Sequence, residues 1–229
     1  MQLQLILALG GRLSFDTDIT DLLERKAIFH CSPCNGDSDS IAIEPTHVFD
    51  IPLVDVPEDF LVFLPSSLTD ILRKHDGISL FYEDGPNGSE SGLRIFSCRE
   101  IALETARLQK WFSENLPSFE GNSEQANLGE WLEGLSPVAA PHCSGNLIVL
   151  DYGPADQVGE PAVYFLDHEY YFAHRCDLET AKFLAPDFRT FLLDFLSDPL
   201  PLLSRDWRHY DADQGQWCVE DVTFDRVAS

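Results

Sequence analysis

Three short stretches hold side chains that could do chemistry if the chain brought them together. Asp167-His168-Glu169 sets two carboxylates around an imidazole, the donor types of a metal site or an acid/base pair. On an extended strand, however, His168 points to one face and the carboxylates to the other, so the three do not converge without distortion. His30-Cys31-Ser32-Pro33-Cys34 is a single CxxC. Structural zinc needs four ligands, no second CxxC or HxxxH follows, and nothing selects His47, His142 or Cys143 to complete a set. A redox role needs a β-α-β setting that this stretch lacks, so Cys31 and Cys34 are expected to be loop cysteines. Ser144, beside His142 and Cys143, lacks the Gly-x-Ser-x-Gly elbow of a nucleophile. GPNGSESG lacks the lysine and helix of a phosphate loop, and Asp211-Ala212-Asp213-Gln214-Gly215 lacks the terminal glutamate of a calcium loop. No catalytic residues, metal or cofactor are expected.

The elements that would position these groups follow from spacing. Leu3, Leu5 and Leu7 alternate with Gln2 and Gln4 as in a first strand, and Ile19, Leu22, Leu23 and Ala27 share a helix face that Thr17 or Asp18 would cap. Residues 31–40 are a loop, and HVFDIPLVDV, with Pro52 inside it and Pro57 just after, is at most an edge strand. LPSSLTDILRKHDGISLFY, residues 64–82, predicts a helix opened by Pro65 and Ser66 or Ser67. Leu68, Ile71, Leu72 and His75 follow its period, and Arg73 and Lys74 lie near its end. Gly77 supplies a left-handed residue that stops it, ISLFY is a buried strand, and Pro86-Asn87-Gly88 turns the chain back into LRIFS.

A second helix is predicted over 99–116 from Ile101, Leu108, Trp111, Phe112 and Leu116, whereas residues 113–140 read largely as an insertion. NLIVLDYG and PAVYFLDHE are strands, and the chain turns helical after Asp177. Phe188, Phe191, Leu192 and Phe195 form the core face of a closing amphipathic helix between Pro186 and Pro199. Trp131, Trp207 and Trp217 suit either core packing or an interface. Hairpins favour antiparallel pairing. The expected class is therefore α+β: an antiparallel sheet of mixed strand order, helices packed on one side, and a closing amphipathic C-terminal helix.

The 229 residues are 44% apolar and 11% aromatic, enough to bury a core in one large domain or a domain with extensions. The charge is extreme: 39 acidic against 15 basic residues, a net of −24 with His neutral. That field repels phosphate backbones, which argues against direct nucleic-acid binding, and attracts basic protein surfaces. Six cysteines show no regular spacing, so no disulfide framework is expected. The apolar N-terminal run follows no basic residue and is too short to span a bilayer. It reads as neither signal peptide nor membrane helix, and a cytoplasmic protein is expected.

One order of motifs resembles a known family. Glu58 and DFLVFLP lead into SSLTDILRKHDG with Leu64-Pro65 and Asp76-Gly77; then come a strand, a hairpin, and GNLIVLDYGPADQVGEPAVYFLDHE. This is similar to the SUKH superfamily, the Smi/Knr-type domain, including its Pro-Val-Tyr-Phe-x-Asp-His-Glu strand at Pro161, Val163, Tyr164, Phe165, Asp167, His168 and Glu169. TAKFLAPDFRTFLLDFL resembles the family's closing segment. Asp76 departs from the pattern, where Asn is usual. The resemblance covers residues 57–197, leaving 1–56 as an N-terminal extension packed on the core and 198–229 as a C-terminal one, all within one domain of residues 1–229.

The resemblance implies a non-catalytic binding domain of the bacterial toxin-immunity type. Its partner would be a cognate protein toxin, often a nuclease or other nucleic-acid-modifying enzyme with a basic channel, with no membrane involved. The alternative is an interaction scaffold or regulator on the same fold. Acidic residues on hairpins and strand ends are the expected contacts: Glu83, Asp84 and Glu90 at the first hairpin, Asp151, Asp156 and Glu160 at the second, with Asp167 and Glu169 extending the surface.

Overall fold

The computed structural model describes residues 12–31, 41–51, 61–84, 90–115, 134–142, 144–153, 160–168, 181–203, 209–211, 216–218 and 222–227. Helix α1 (Arg12–Glu24) leads into β1 (Lys26–Cys31), β2 (Ile41–Ile43) and β3 (Thr46–Phe49). Next come α2 (Ser66–Lys74), β4 (Ile78–Asp84), β5 (Glu90–Ile95), α3 (Cys98–Asn115), β6 (Leu135–Pro141), β7 (Leu147–Asp151), β8 (Ala162–Leu166) and β9 (Lys182–Ala185). The chain closes with α4 (Phe188–Ser197), α5 (Leu200–Leu203), β10 (His209–Asp211), β11 (Gln216–Cys218) and β12 (Val222–Val227).

Strands β3 to β9 form one seven-stranded sheet, each antiparallel to its neighbour. The α+β antiparallel class is borne out, and the strand order is a plain meander rather than the mixed order expected. Strand β3 is indeed an edge strand. A second sheet has the order β12-β1-β2, so strands from the two ends of the described chain lie side by side, Lys26 opposite Val227 and Cys31 opposite Val222. Helix α4 packs on β8 and β9 and against α1 and α2, while α3 packs on β6. Leu68, Leu72, Leu80, Leu93, Ile95, Ile148, Leu150, Val163 and Phe188 are fully or almost fully buried in the resulting core. Among the described residues no helix is long and apolar enough to cross a membrane.

Phe81 is the hub that joins the two sheets. It is completely buried, and its ring meets Phe29 of β1 at 5.8 Å, Phe224 of β12 at 5.8 Å and Phe195 of α4 at 5.5 Å between centroids. To reach them the backbone leaves strand geometry: φ is 50° at Phe81, and the β4–β5 register shifts between Leu80 and Glu83. Gly92, with φ of 112°, faces this bulge, and a Cβ there would sit 2.5 Å from the Leu80 carbonyl oxygen and 2.6 Å from that of Phe81. Only glycine fits.

Several local expectations are corrected. Helix α1 starts at Arg12, so Thr17 and Asp18 lie inside it instead of capping it, and Ala27 belongs to β1. The segment expected as an insertion contains β6, an interior strand between β5 and β7. Pro137 and Pro141 conceal it, and the sheet accommodates Pro137 where the β6–β7 register shifts, between Pro137 and Ala139. Residues 182–185, expected to be helical, are β9; the helix waits for Asp187, whose side chain caps it by accepting from the Thr190 N–H at 2.7 Å. The strand over Leu3–Leu7, the tip of the first hairpin, the segment YYFAHRC and the cap at Asp177 fall outside the described residues.

Candidate functional site

Helix α2 ends at Lys74 with His75 as its C-cap, and Gly77, with φ of 110°, reverses the chain into β4. Between them Asp76 is buried, and its carboxylate accepts from the Cys98 N–H at 3.1 Å. Asp76 thus places a carboxylate at the N-terminus of α3, where the macrodipole favours an anion. Ser97 and Glu100 complete a capping box: Ser97 N–H donates to Glu100 Oε2 at 2.7 Å, and Glu100 N–H donates to Ser97 Oγ at 3.1 Å. Glu100 also takes two bonds from Arg94, at 2.8 and 3.3 Å, while the Arg94 guanidinium bonds Asp50 as well. Burial alone would raise the Glu100 carboxyl, but the bonds from Arg94 and Ser97 outweigh it and hold the group below its ordinary value. Burial first, and the Asp76 charge second, push the Cys98 thiol up to about 11, so it stays protonated and unreactive. The signal for this cap, Ser97-Cys98-Arg99-Glu100 ahead of an apolar helix, is present in the sequence and was missed.

The acidic positions expected to face a partner divide between two ends of the sheet. Asp84 stands opposite Glu90 and Glu83 opposite Ser91 at the turn end of the β4–β5 hairpin, so two acidic residue types, Asp84 and Glu90, hold facing register positions there. Leu93 pairs with Pro141 and Leu147 with Leu166, which brings Asp167, just past β8, to this same end. Asp151, opposite Ala162, and Glu160, two residues before it, lie at the other end. Asp151 Oδ1 accepts from the Gly153 N–H at 2.8 Å, and Glu160 is exposed. Asp156 and Glu169 lie outside the described residues.

The end that carries Asp151 and Glu160 also carries a tight turn ahead of α2. Leu61 is buried and Leu64 packs on the core, while Val62 and Phe63 between them are 77% and 74% exposed. The turn closes with the Leu64 N–H donating to the Leu61 carbonyl at 3.2 Å. Thr69 Oγ1 donates to the Leu61 carbonyl at 3.2 Å, and the Tyr152 hydroxyl to the Phe63 carbonyl at 2.7 Å. Ser66 Oγ donates to Glu160 Oε1 at 3.0 Å. Burial, followed by the charge of Glu160, raises the Tyr152 phenol well above its usual range, so it remains a donor. Spacing alone could have marked Val62 and Phe63 only as more of an apolar run.

The described histidines among the chemistry candidates make contacts within the fold. Strand β8 ends at Leu166, so Asp167 and His168 are not on it, and Asn146 Oδ1 accepts from the His168 N–H at 2.9 Å and faces its Nδ1 at 2.7 Å. His47 Nδ1 accepts from the Phe81 N–H at 3.2 Å. His142 Nε2 lies 3.1 Å from Ser79 Oγ, beside the ring of Tyr82. Among the described residues no three His, Cys, Asp or Glu side chains are grouped to hold a metal. Trp131 and Trp207 lie outside the described residues, and Trp217 falls in β11.

Fold and site together describe an antiparallel α+β meander whose polar side chains are engaged in caps, turns and strand ends. The SMI1 / KNR4 family (SUKH-1) matches residues 52–194, more than half of the chain, and the protein belongs to that family. A search of curated proteins found no match.

Proposed function

We propose that this protein is an immunity protein: it binds a cognate, basic, nucleic-acid-targeting protein toxin and covers its working surface, with no turnover of its own. The observation that carries this reading is a net charge of −24 on a chain that belongs to the SUKH family. An enzyme that grips phosphate backbones must present a basic channel, and an acidic protein approaches such a channel quickly and competes with the nucleic acid for it. The carboxylates proposed to make contact are Glu83, Asp84, Glu90 and Asp167 at one end of the sheet and Asp151 and Glu160 at the other, together with Asp156 and Glu169. Interface energies concentrate, so only a few of these would weaken binding by more than about 2 kcal/mol when truncated.

The test is a low-salt pull-down of tagged protein from the cell that encodes it, followed by an assay of whatever is retained. One stoichiometric basic enzyme, silenced by the protein and released as salt rises, supports immunity. Several weaker partners without enzymatic activity would replace it with a scaffold.

A further inference from the structure

We infer that the turn Leu61–Leu64 is the anchor of the partner interface, and that its occupant is an apolar pocket ringed by lysine or arginine on a basic protein. This rests on the binding function proposed above and selects one end of the sheet for it. Val62 and Phe63 are among the most exposed large apolar side chains described, yet they do not sit on a loose loop. Three of the turn's hydrogen bonds are made by hydroxyls or amides anchored in the fold, from Thr69, Tyr152 and Leu64 itself. Their backbone is therefore ordered before any partner arrives, and association loses little further entropy in fixing it. Rigid aromatic anchors are how interface energy is concentrated in few residues.

Charge complementarity selects the occupant. Glu160 is exposed and tied to Ser66, three residues beyond Phe63, and Asp151 adjoins Tyr152, so the apolar pair is flanked by carboxylates. A second copy of this chain would bring another net charge of −24 to the same place, which opposes self-association through this face. A neutral apolar surface would leave the carboxylates without counter-charge as they lose water. A basic rim around an apolar pocket satisfies both parts.

The experiment uses the full chain with photoreactive p-benzoylphenylalanine at position 63, and separately at Asp84, at Glu90 and at Leu103, an exposed apolar position on α3. Cross-linking is carried out in the encoding cell, and the Val62→Ser/Phe63→Ser double variant is compared with the unsubstituted protein for affinity and unfolding temperature. The expected result is one basic protein captured from position 63 and not from 103, through a peptide with apolar residues beside lysine or arginine. The double variant should bind that protein on the order of thirtyfold more weakly while unfolding at the same temperature. If the partner is retained with unchanged affinity by the double variant, and cross-links only from probes at Asp84 or Glu90, the anchor is wrong while the binding function stands. Cross-linking of this chain to itself would also overturn the anchor. If the unsubstituted protein retains nothing, the binding function falls and the anchor with it.

Discussion

Glu100 does three jobs with one carboxylate: it caps α3 through the Ser97 N–H, neutralises Arg94, and thereby connects the helix to β5. Its folded-state value lies below the ordinary 4.5, so its contribution to stability is present above that value and is lost as pH falls through the folded one. Glu100→Gln should therefore be less stable than the parent at neutral pH, with the difference shrinking in acid; urea unfolding across a pH series measures it. A gap that did not change with pH would mean that packing, and not charge, makes the contribution. Ser97→Ala removes the other half of the box and should lower stability by about 1 kcal/mol at neutral pH in the same assay.

At the scale of elements, the β4–β5 hairpin depends on one backbone fit. Gly92→Ala forces a Cβ against two carbonyl oxygens at a positive φ, and nothing flexible can give way. A loss of more than about 2 kcal/mol is expected, read as a lower urea midpoint, or failure to fold. Gly77 is a milder case, since the atoms nearest an added Cβ belong to the Arg94 guanidinium, although Asp50 and Glu100 hold that group in place. The helices and strands that were legible in the sequence are those whose signal is local. Helix α2 had its proline start, apolar period and glycine stop; β7 and β8 had unbroken apolar runs; α4 had its phenylalanine face. Strand β6 was hidden because proline argues against an interior strand until a register shift absorbs it. The Phe81 bulge and the pairing of β1 with β12 were not legible, because each is decided by residues far away in the chain. As for the candidate site, the abundance of acid could be read directly. Its division between the two ends of the sheet could not, because that follows from strand direction and register.

For the molecule as a whole, a net charge of −24 within one compact chain repels itself. Adding salt from low to physiological ionic strength should raise the thermal unfolding midpoint as that repulsion is screened, even while it weakens any basic partner's attachment. A midpoint that fell instead would show that favourable ion pairs such as Arg189–Asp18, 3.1 Å apart on α4 and α1, dominate over the general field. Removing β12 tests the integration of the outer sheet: Phe29 and Phe81 would each lose the Phe224 ring. The shortened protein should bind a hydrophobic dye and unfold at lower temperature than the full chain.

The side-by-side placement of β1 and β12 also sets a timetable for making the protein. At roughly 5–20 residues per second of synthesis, the segment that becomes β1 leaves the ribosome many seconds before its β12 neighbour exists. The seven-stranded meander needs only successive neighbours and can assemble as it emerges. Throughout that interval Phe29 and the face of Phe81 lack one of their aromatic covers, so a nascent chain paused late in translation is an adhesive one. Synonymous codon changes that slow the final stretch of synthesis should therefore lower the yield of soluble protein without altering the finished molecule.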